Sequence, residues 1–320
     1  MRLCRFRSQK QEQLGLYDEQ HIVPLAAGAR AFEDATHEKL TLPDSGDLLD
    51  FLPPDGRGFA AAQKLSAWVA QSAGKLPASA TLATDKVQLL VPIPKPNKLF
   101  LLAGNYAKHI EEGGREKARE RGETFPYVFM KPPTTTLTDP GSPVKIPGVS
   151  PQHVDWELEL AVVIGRKVKG IKEADALSAV AGYTVVNDIS DRKFRPNPGR
   201  VTRDKDSFFD WLHGKWHDSF CPLGPCVTSA DAISDPQSLE MKLRLNGELH
   251  QDASTALQIF PVAAVIEFIS SFVTLEPGDI ISTGTPAGVG FAKNIFLKPG
   301  DKLEASIEQI GTLVSPVEAE

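Results

Sequence analysis

The 320-residue chain is poor in cysteine, in long apolar runs and in positive charge, and each shortage closes off a class of protein. Its three cysteines, Cys4, Cys221 and Cys226, are an odd set without disulfide-framework spacing. A disulfide scaffold is therefore excluded and a reducing compartment is expected. No segment approaches the roughly eighteen apolar residues of a membrane-spanning helix. The basic start Met1-Arg2-Leu3-Cys4-Arg5-Phe6-Arg7 leads into Gln and Glu rather than an apolar run of signal-peptide length. The expected location is cytoplasmic. A formal net charge of −6 argues against a nucleic-acid partner and against an anionic membrane surface. There is no internal repeat and no low-complexity tract.

What is present is an ordinary globular composition, 41% hydrophobic and 24% charged, with room for one large domain and a small one. The informative stretch is Val154-Asp155-Trp156-Glu157-Leu158-Glu159-Leu160-Ala161-Val162-Val163-Ile164-Gly165. Read with a period of two, it puts Trp156, Leu158, Leu160, Val162 and Ile164 on one face of a strand. Asp155, Glu157 and Glu159 lie on the other, which turns apolar at Ala161 and Val163. Glu157 and Glu159 then stand roughly 7 Å apart along the strand. Side by side on so apolar an element they repel each other and lose solvation. A hard divalent cation such as Mg²⁺, Mn²⁺ or Ca²⁺ removes both costs; the alternative is a solvated sheet face. A second apolar run, Ala181 to Asn187, ends in Asp188. Three carboxylates from two strands leave about three of six octahedral positions for water and substrate, as a catalytic ion requires.

Along the chain, residues 1–75 read as a small α+β module: a hairpin from Arg5-Phe6-Arg7 to Gly15-Leu16-Tyr17, a strand at His21 to Leu25, and helices at 48–52 and from Ala60 to Ala73. The alternating prolines of Val91-Pro92-Ile93-Pro94-Lys95-Pro96 enforce an extended connector over 76–97. The main domain follows over 98–320. Its first strand opens at Gly104-Asn105 into a short helix on which His109 and Glu112, three apart, share a face. A histidine paired with a carboxylate is the usual general base near neutral pH. The charged run from Gly113 to Glu123 reads as a solvated helix or as a lid hinged at Gly113-Gly114 and Gly122. Lys131, at the end of a strand, is placed facing the same pocket.

Lys172 to Ala181 is expected to be a crossover helix. Asp191 to Asp218 is a long irregular segment whose aromatics, Phe208, Phe209, Trp211 and Trp216, argue for order. Within it Arg192, Lys193, Arg195 and Lys215 supply positive charge for a carboxylate substrate. A rival zinc site from His213, His217, Cys221 and Cys226 matches no knuckle or ribbon spacing. An Asn246-Gly247 turn joins a hairpin, and Ile259 to Phe272 is an apolar helix. The glycine-rich loop after Asp279 lacks the Gly-Lys-Ser/Thr ending of a phosphate loop. It lets backbone amides and the Thr285 hydroxyl approach a ligand.

Five motifs carry a resemblance to the fumarylacetoacetate hydrolase family: Gly-Asn-Tyr-Ala-x-His at 104–109, Glu-Leu-Glu-Leu-Ala-Val-Val-Ile-Gly at 157–165, Asn-Asp at 187–188, Asn-Gly-Glu at 246–248 and Gly-Asp-Ile-Ile-x-Thr-Gly-Thr-Pro-x-Gly-Val-Gly at 278–290. The resemblance runs from about Lys98 to Val317. It implies a mixed, β-rich fold of several sheets rolled around a metal site, here with a small N-terminal α+β domain, and a homodimer. By the same resemblance Glu157, Glu159 and Asp188 hold Mg²⁺ or Mn²⁺, His109 and Glu112 form the catalytic dyad, Lys215 is the pocket lysine and Arg192 the substrate arginine. A further Asp ligand, which some members carry shortly before the dyad His, is replaced here by Leu101-Leu102-Ala103, so three carboxylates are expected. Arg195 stands where a polar residue is usual. The expected reaction is hydrolysis of a C–C bond in an acylpyruvate or β-diketo acid held through its 2-oxo acid end. Isomerisation, decarboxylation or dehydration of a 2-oxo acid is the alternative, and a non-catalytic metal-binding protein the remote one.

Overall fold

The computed structural model describes residues 1–72, 76–112, 114 and 117–320. The strand Leu158–Ile164, buried along its whole length, lies inside a twelve-stranded sheet. Its neighbours Val180–Asn187 and Ile280–Ser282 both run antiparallel to it. Beyond Ile280–Ser282 come Leu99–Ala103 and, at the edge, Tyr127–Met130. The two faces sort as the alternation predicts. Trp156, Leu158, Leu160, Val162 and Ile164 enter one apolar cluster. The same cluster takes Met241, Leu243, Leu303 and Ala305 from a second, five-stranded sheet and Val265 and Ile269 from the helix Val262–Phe272. Ala161 and Val163 enter an opposite cluster with Phe32 and Leu65 of the helices Leu25–Thr36 and Phe59–Gln71. A strand covered on both faces desolvates any charge it carries, and that sets the electrostatics described below. The mixed, β-rich architecture matches the sequence expectation.

The sheet runs across the connector expected to separate two domains. Arg2–Ser8 pairs with Gln11–Tyr17 in the expected hairpin, with Gln9 and Lys10 at positive φ in its tip. The same strand also pairs with Cys221–Ser229 and with Gln88–Leu90. Lys172 to Ala181 is not a crossover helix. The strands it joins are antiparallel, so the chain has only to turn back, and does so through Glu173–Ala176 and Leu177–Ala179. A parallel pair would have needed the longer crossover. The segment after Asp191 is less irregular than expected, since it contains the helix Asp206–His213. The Asn246-Gly247 turn has φ of 52° and 85°, the doubly positive geometry of a two-residue hairpin. The expected helix end at Ala73 and the expected hinge at Gly113 lie outside the described residues.

Candidate active site

Between Asp155 and Leu158 the backbone leaves its ladder. Val154–Asp155 pairs with Ser190–Asp191, whereas Leu158–Ile164 pairs with Val180–Asn187. Side chains satisfy the amides in the gap: Glu157 N donates to Asn187 Oδ1 at 2.9 Å and Leu158 N to Gln251 Oε1 at 3.0 Å. The Asp188 amide donates to Glu157 O at 2.8 Å, which brings the end of the second strand against the start of the first. One carboxylate oxygen each from Glu157, Glu159 and Asp188 then lies within 4.8 Å of the others, and all three side chains are buried.

Each carboxylate has a different set of partners. Glu157 Oε1 meets Arg192 Nη1 at 2.6 Å and Oε2 accepts from Lys215 Nζ at 2.9 Å. Burial alone would raise its carboxyl; the charges of Arg192 and Lys215 outweigh that and hold it below the usual range. Asp188 Oδ2 accepts from Lys215 Nζ and Oδ1 from Lys131 Nζ, both at 2.5 Å. Glu159 has only neutral donors, Ser282 Oγ at 2.6 Å and Gly284 N at 2.9 Å, both on Oε2. Its carboxyl is pushed well up, first by burial and then by the neighbouring Asp188 and Glu157. Glu159 Oε1 is buried without any hydrogen-bond partner. An orphaned carboxyl oxygen among converging carboxylates, in an all-oxygen donor set, fits a hard divalent cation. Glu157, Glu159 and Asp188 are the residues that would hold it.

The dyad expected from the sequence is formed. His109 Nδ1 lies 2.8 Å from Glu112 Oε1 on the helix Ala107–Glu112. Glu112 Oε2 accepts from Gly288 N at 2.7 Å, so the glycine-rich loop fixes the carboxylate that fixes the imidazole. Only glycine serves at 288, where φ is +107° and a Cβ would lie 2.1 Å from His250 O. His109, Glu157, Arg192, Lys215 and Thr285 line one small cavity of about 50 Å³, walled also by Ala103 and Trp211. The Thr285 hydroxyl donates to Leu158 O and accepts from Gln251 Nε2, each at 2.8 Å, which ties the loop to the acidic strand.

Lys215 Nζ spends its donors on Glu157, Asp188 and Ser190 Oγ (2.9 Å). It also sits 5.2 Å from the Phe129 ring centroid and 5.7 Å from that of Trp211. Burial disfavours its charge, but Asp188 and Glu157 raise its pKa overall. Lys131 reaches the acid cluster from behind. Besides Asp188 it donates to Ile189 O at 2.9 Å and Phe220 O at 2.6 Å, and an ammonium has no fourth donor to offer. Lys193 and Arg195 are exposed and outside the cavity. Among the described residues His213, His217, Cys221 and Cys226 form no second metal-ligating cluster; Cys226 Sγ instead donates to Ile310 O. Sequence reasoning passed over Ser282 and Gln251, and gave Asn187, which it noted only within the Asn-Asp motif, no role of its own.

Comparison with known proteins places the chain in a family. The family model described as fumarylacetoacetate (FAA) hydrolase C-terminal matches residues 98–318. A mitochondrial oxaloacetate tautomerase from Xenopus laevis is 41% identical over 238 residues, 74% of this chain and 70% of the relative. A 2,4-didehydro-3-deoxy-L-rhamnonate hydrolase from Sphingomonas sp. (strain SKA58) is 40% identical over 238 residues, 73% of this chain and 78% of the relative. Among solved structures, maleylpyruvate hydrolase from Sphingobium sp. SYK-6, in complex with manganese(II) and pyruvate, matches with a TM-score of 0.70 and 29% identity, over 100% of this chain and 99% of that one.

Proposed function

This chain belongs to the fumarylacetoacetate hydrolase family, and from that premise we propose that it is a divalent-cation-dependent hydrolase cleaving a C–C bond of an acylpyruvate or related β-diketo acid. The observation that carries the reading is the convergence of the oriented His109–Glu112 pair, Arg192 and Lys215 on the cavity that also receives Glu157. A cation held by the three carboxylates would supply Lewis-acid polarisation of the 2-oxo group. Arg192 binds the substrate carboxylate. With Nδ1 committed to Glu112, His109 takes a proton from water through Nε2, and the hydroxide adds to the distal acyl carbon. The C–C bond breaks, its electron pair goes to the carbon beside the 2-oxo group, and the positive charge of Lys215, which unlike Lys131 lines the cavity, stabilises the leaving enolate through space. The imidazolium returns its proton to that carbon.

A second reading omits the water, so that the same dyad moves a proton on the 2-oxo acid itself. The Xenopus laevis relative, an oxaloacetate tautomerase, favours it. One screen separates the two. With Mg²⁺ or Mn²⁺ present, acylpyruvates are expected to yield pyruvate and a carboxylic acid. If only the enol and keto forms of oxaloacetate interconvert and no acylpyruvate is cleaved, the second reading replaces the first. Turnover of neither, with cation bound, would leave a binding protein.

Lys215 tests the charge argument separately. Lys215→Met at saturating cation is expected to lower kcat by about 10²-fold or more, because the ammonium acts on charge that develops in the transition state. A loss confined to KM would make Lys215 a binding residue instead.

A further inference from the structure

Asp155 belongs to the acidic face of the sequence but not to the acid cluster. It is wholly buried, and each of its oxygens already accepts two hydrogen bonds. Oδ1 takes Trp156 N at 2.8 Å and Gly290 N at 2.7 Å; Oδ2 takes Phe291 N at 3.0 Å and Arg192 Nε at 2.8 Å. A carboxylate so engaged has little capacity left for a ligand. Gly290 is required for this arrangement, since a Cβ there would lie 2.1 Å from Ile295 O and 2.7 Å from Asp155 Oδ1.

The consequence falls on Arg192. Its Nε is held by Asp155 and its Nη1 by Glu157, which leaves Nη2 buried and without a partner. A guanidinium is a rigid planar fork, so two anchors on different atoms fix its plane whereas one leaves it free to swing. Arg192 lines the cavity of the dyad. We propose that Asp155 is a positioning residue for substrate binding: it locks the Arg192 guanidinium so that Nη2 meets the carboxylate of the 2-oxo acid, and it links that contact to the glycine-rich loop through Gly290 and Phe291. This role rests on the functional reading above. It differs from that of Glu157, Glu159 and Asp188, because Asp155 touches neither the cation site nor the substrate.

The test is Asp155→Asn, which keeps the shape of the side chain but gives up the charge and one acceptor, with Asp155→Glu as a second variant that keeps the charge but shifts it by a methylene. Oxalate, a small mimic of the 2-oxo acid end, is titrated calorimetrically into the Mn²⁺-loaded proteins, and KM and kcat are measured beside it. Both variants are expected to bind oxalate about 10-fold or more weakly and to raise KM by a similar factor, the usual scale for losing an orienting partner. Mn²⁺ affinity and kcat are expected to stay within about three-fold, since substrate binding rather than the chemical step is weakened. Oxalate affinity equal to wild type in either variant overturns the assignment. So does a loss that falls on kcat or on Mn²⁺ affinity. Failure of both variants to fold overturns it too, because Asp155 would then be an anchor of the loop and not a residue acting through Arg192. If Mn²⁺-loaded wild type itself binds no oxalate and turns over no 2-oxo acid, the functional reading fails and takes this role with it. If wild type binds oxalate and the variants match it, only the positioning role fails.

Discussion

Glu159→Ala is expected to lose divalent-cation binding by more than about 100-fold, beyond the 10–100-fold typical of removing a mere supporting partner. Its activity should fall to that of wild type in excess chelator. The reason lies in how the three acids are compensated. Glu157 and Asp188 are matched by Arg192, Lys215 and Lys131, whereas Glu159 faces only a hydroxyl and an amide and keeps one buried oxygen unpaired. It is therefore the acid with most to gain from a cation. Burial and neighbouring anions raise its carboxyl, so the folded protein holds this proton to higher pH than the unfolded chain does. Without cation that contribution favours folding at low pH and is lost as pH rises through the folded value. Cation and proton compete for the same oxygens, so the thermal stabilisation given by Mn²⁺ should grow with pH in wild type and be flat in Glu159→Ala. Calorimetry showing unchanged Mg²⁺ or Mn²⁺ affinity in the variant, or full wild-type activity in chelator, would falsify the cation site.

The parts of this site that were legible in the sequence are those written in a period. Alternation along 154–164 separates two apolar clusters from an acidic row, and the structure keeps that partition residue by residue. His109 and Glu112 follow from helical spacing. What escaped was whatever depends on a break in the period or on pairing at long range. Asp155 looks like one more member of the acidic row, because nothing local announces that the strand is interrupted between it and Leu158. Lys131, ahead of a proline, reads as a residue at the pocket, and only the fold shows that Asp188 and two carbonyls use all its donors. The first strand reads as part of a separate module because proline composition marks the connector. Its pairing with Cys221–Ser229, more than two hundred residues away, leaves no local trace. The crossover helix failed for a related reason: periodicity says that two strands exist but not whether they run parallel.

His109→Ala is expected to lower kcat by about 10²–10⁴-fold, the range for loss of a general acid–base group. The double variant His109→Ala/Glu112→Ala should be hardly slower than His109→Ala alone. Glu112 acts by holding the imidazole through Nδ1, and Gly288 holds Glu112 in turn, so the three form one chain whose last link does the chemistry. Residues that act as a unit are not additive: once the histidine is gone, its orienter has nothing left to orient. An exposed i, i+3 ion pair would behave otherwise, adding a few tenths of a kcal/mol to stability and nothing to rate. The pair here is mostly buried, each side chain 18% exposed, and it is anchored from a second segment of the chain. Small, additive losses from the two single variants would reduce the pair to that structural role and leave the proton transfer to another group in the cavity.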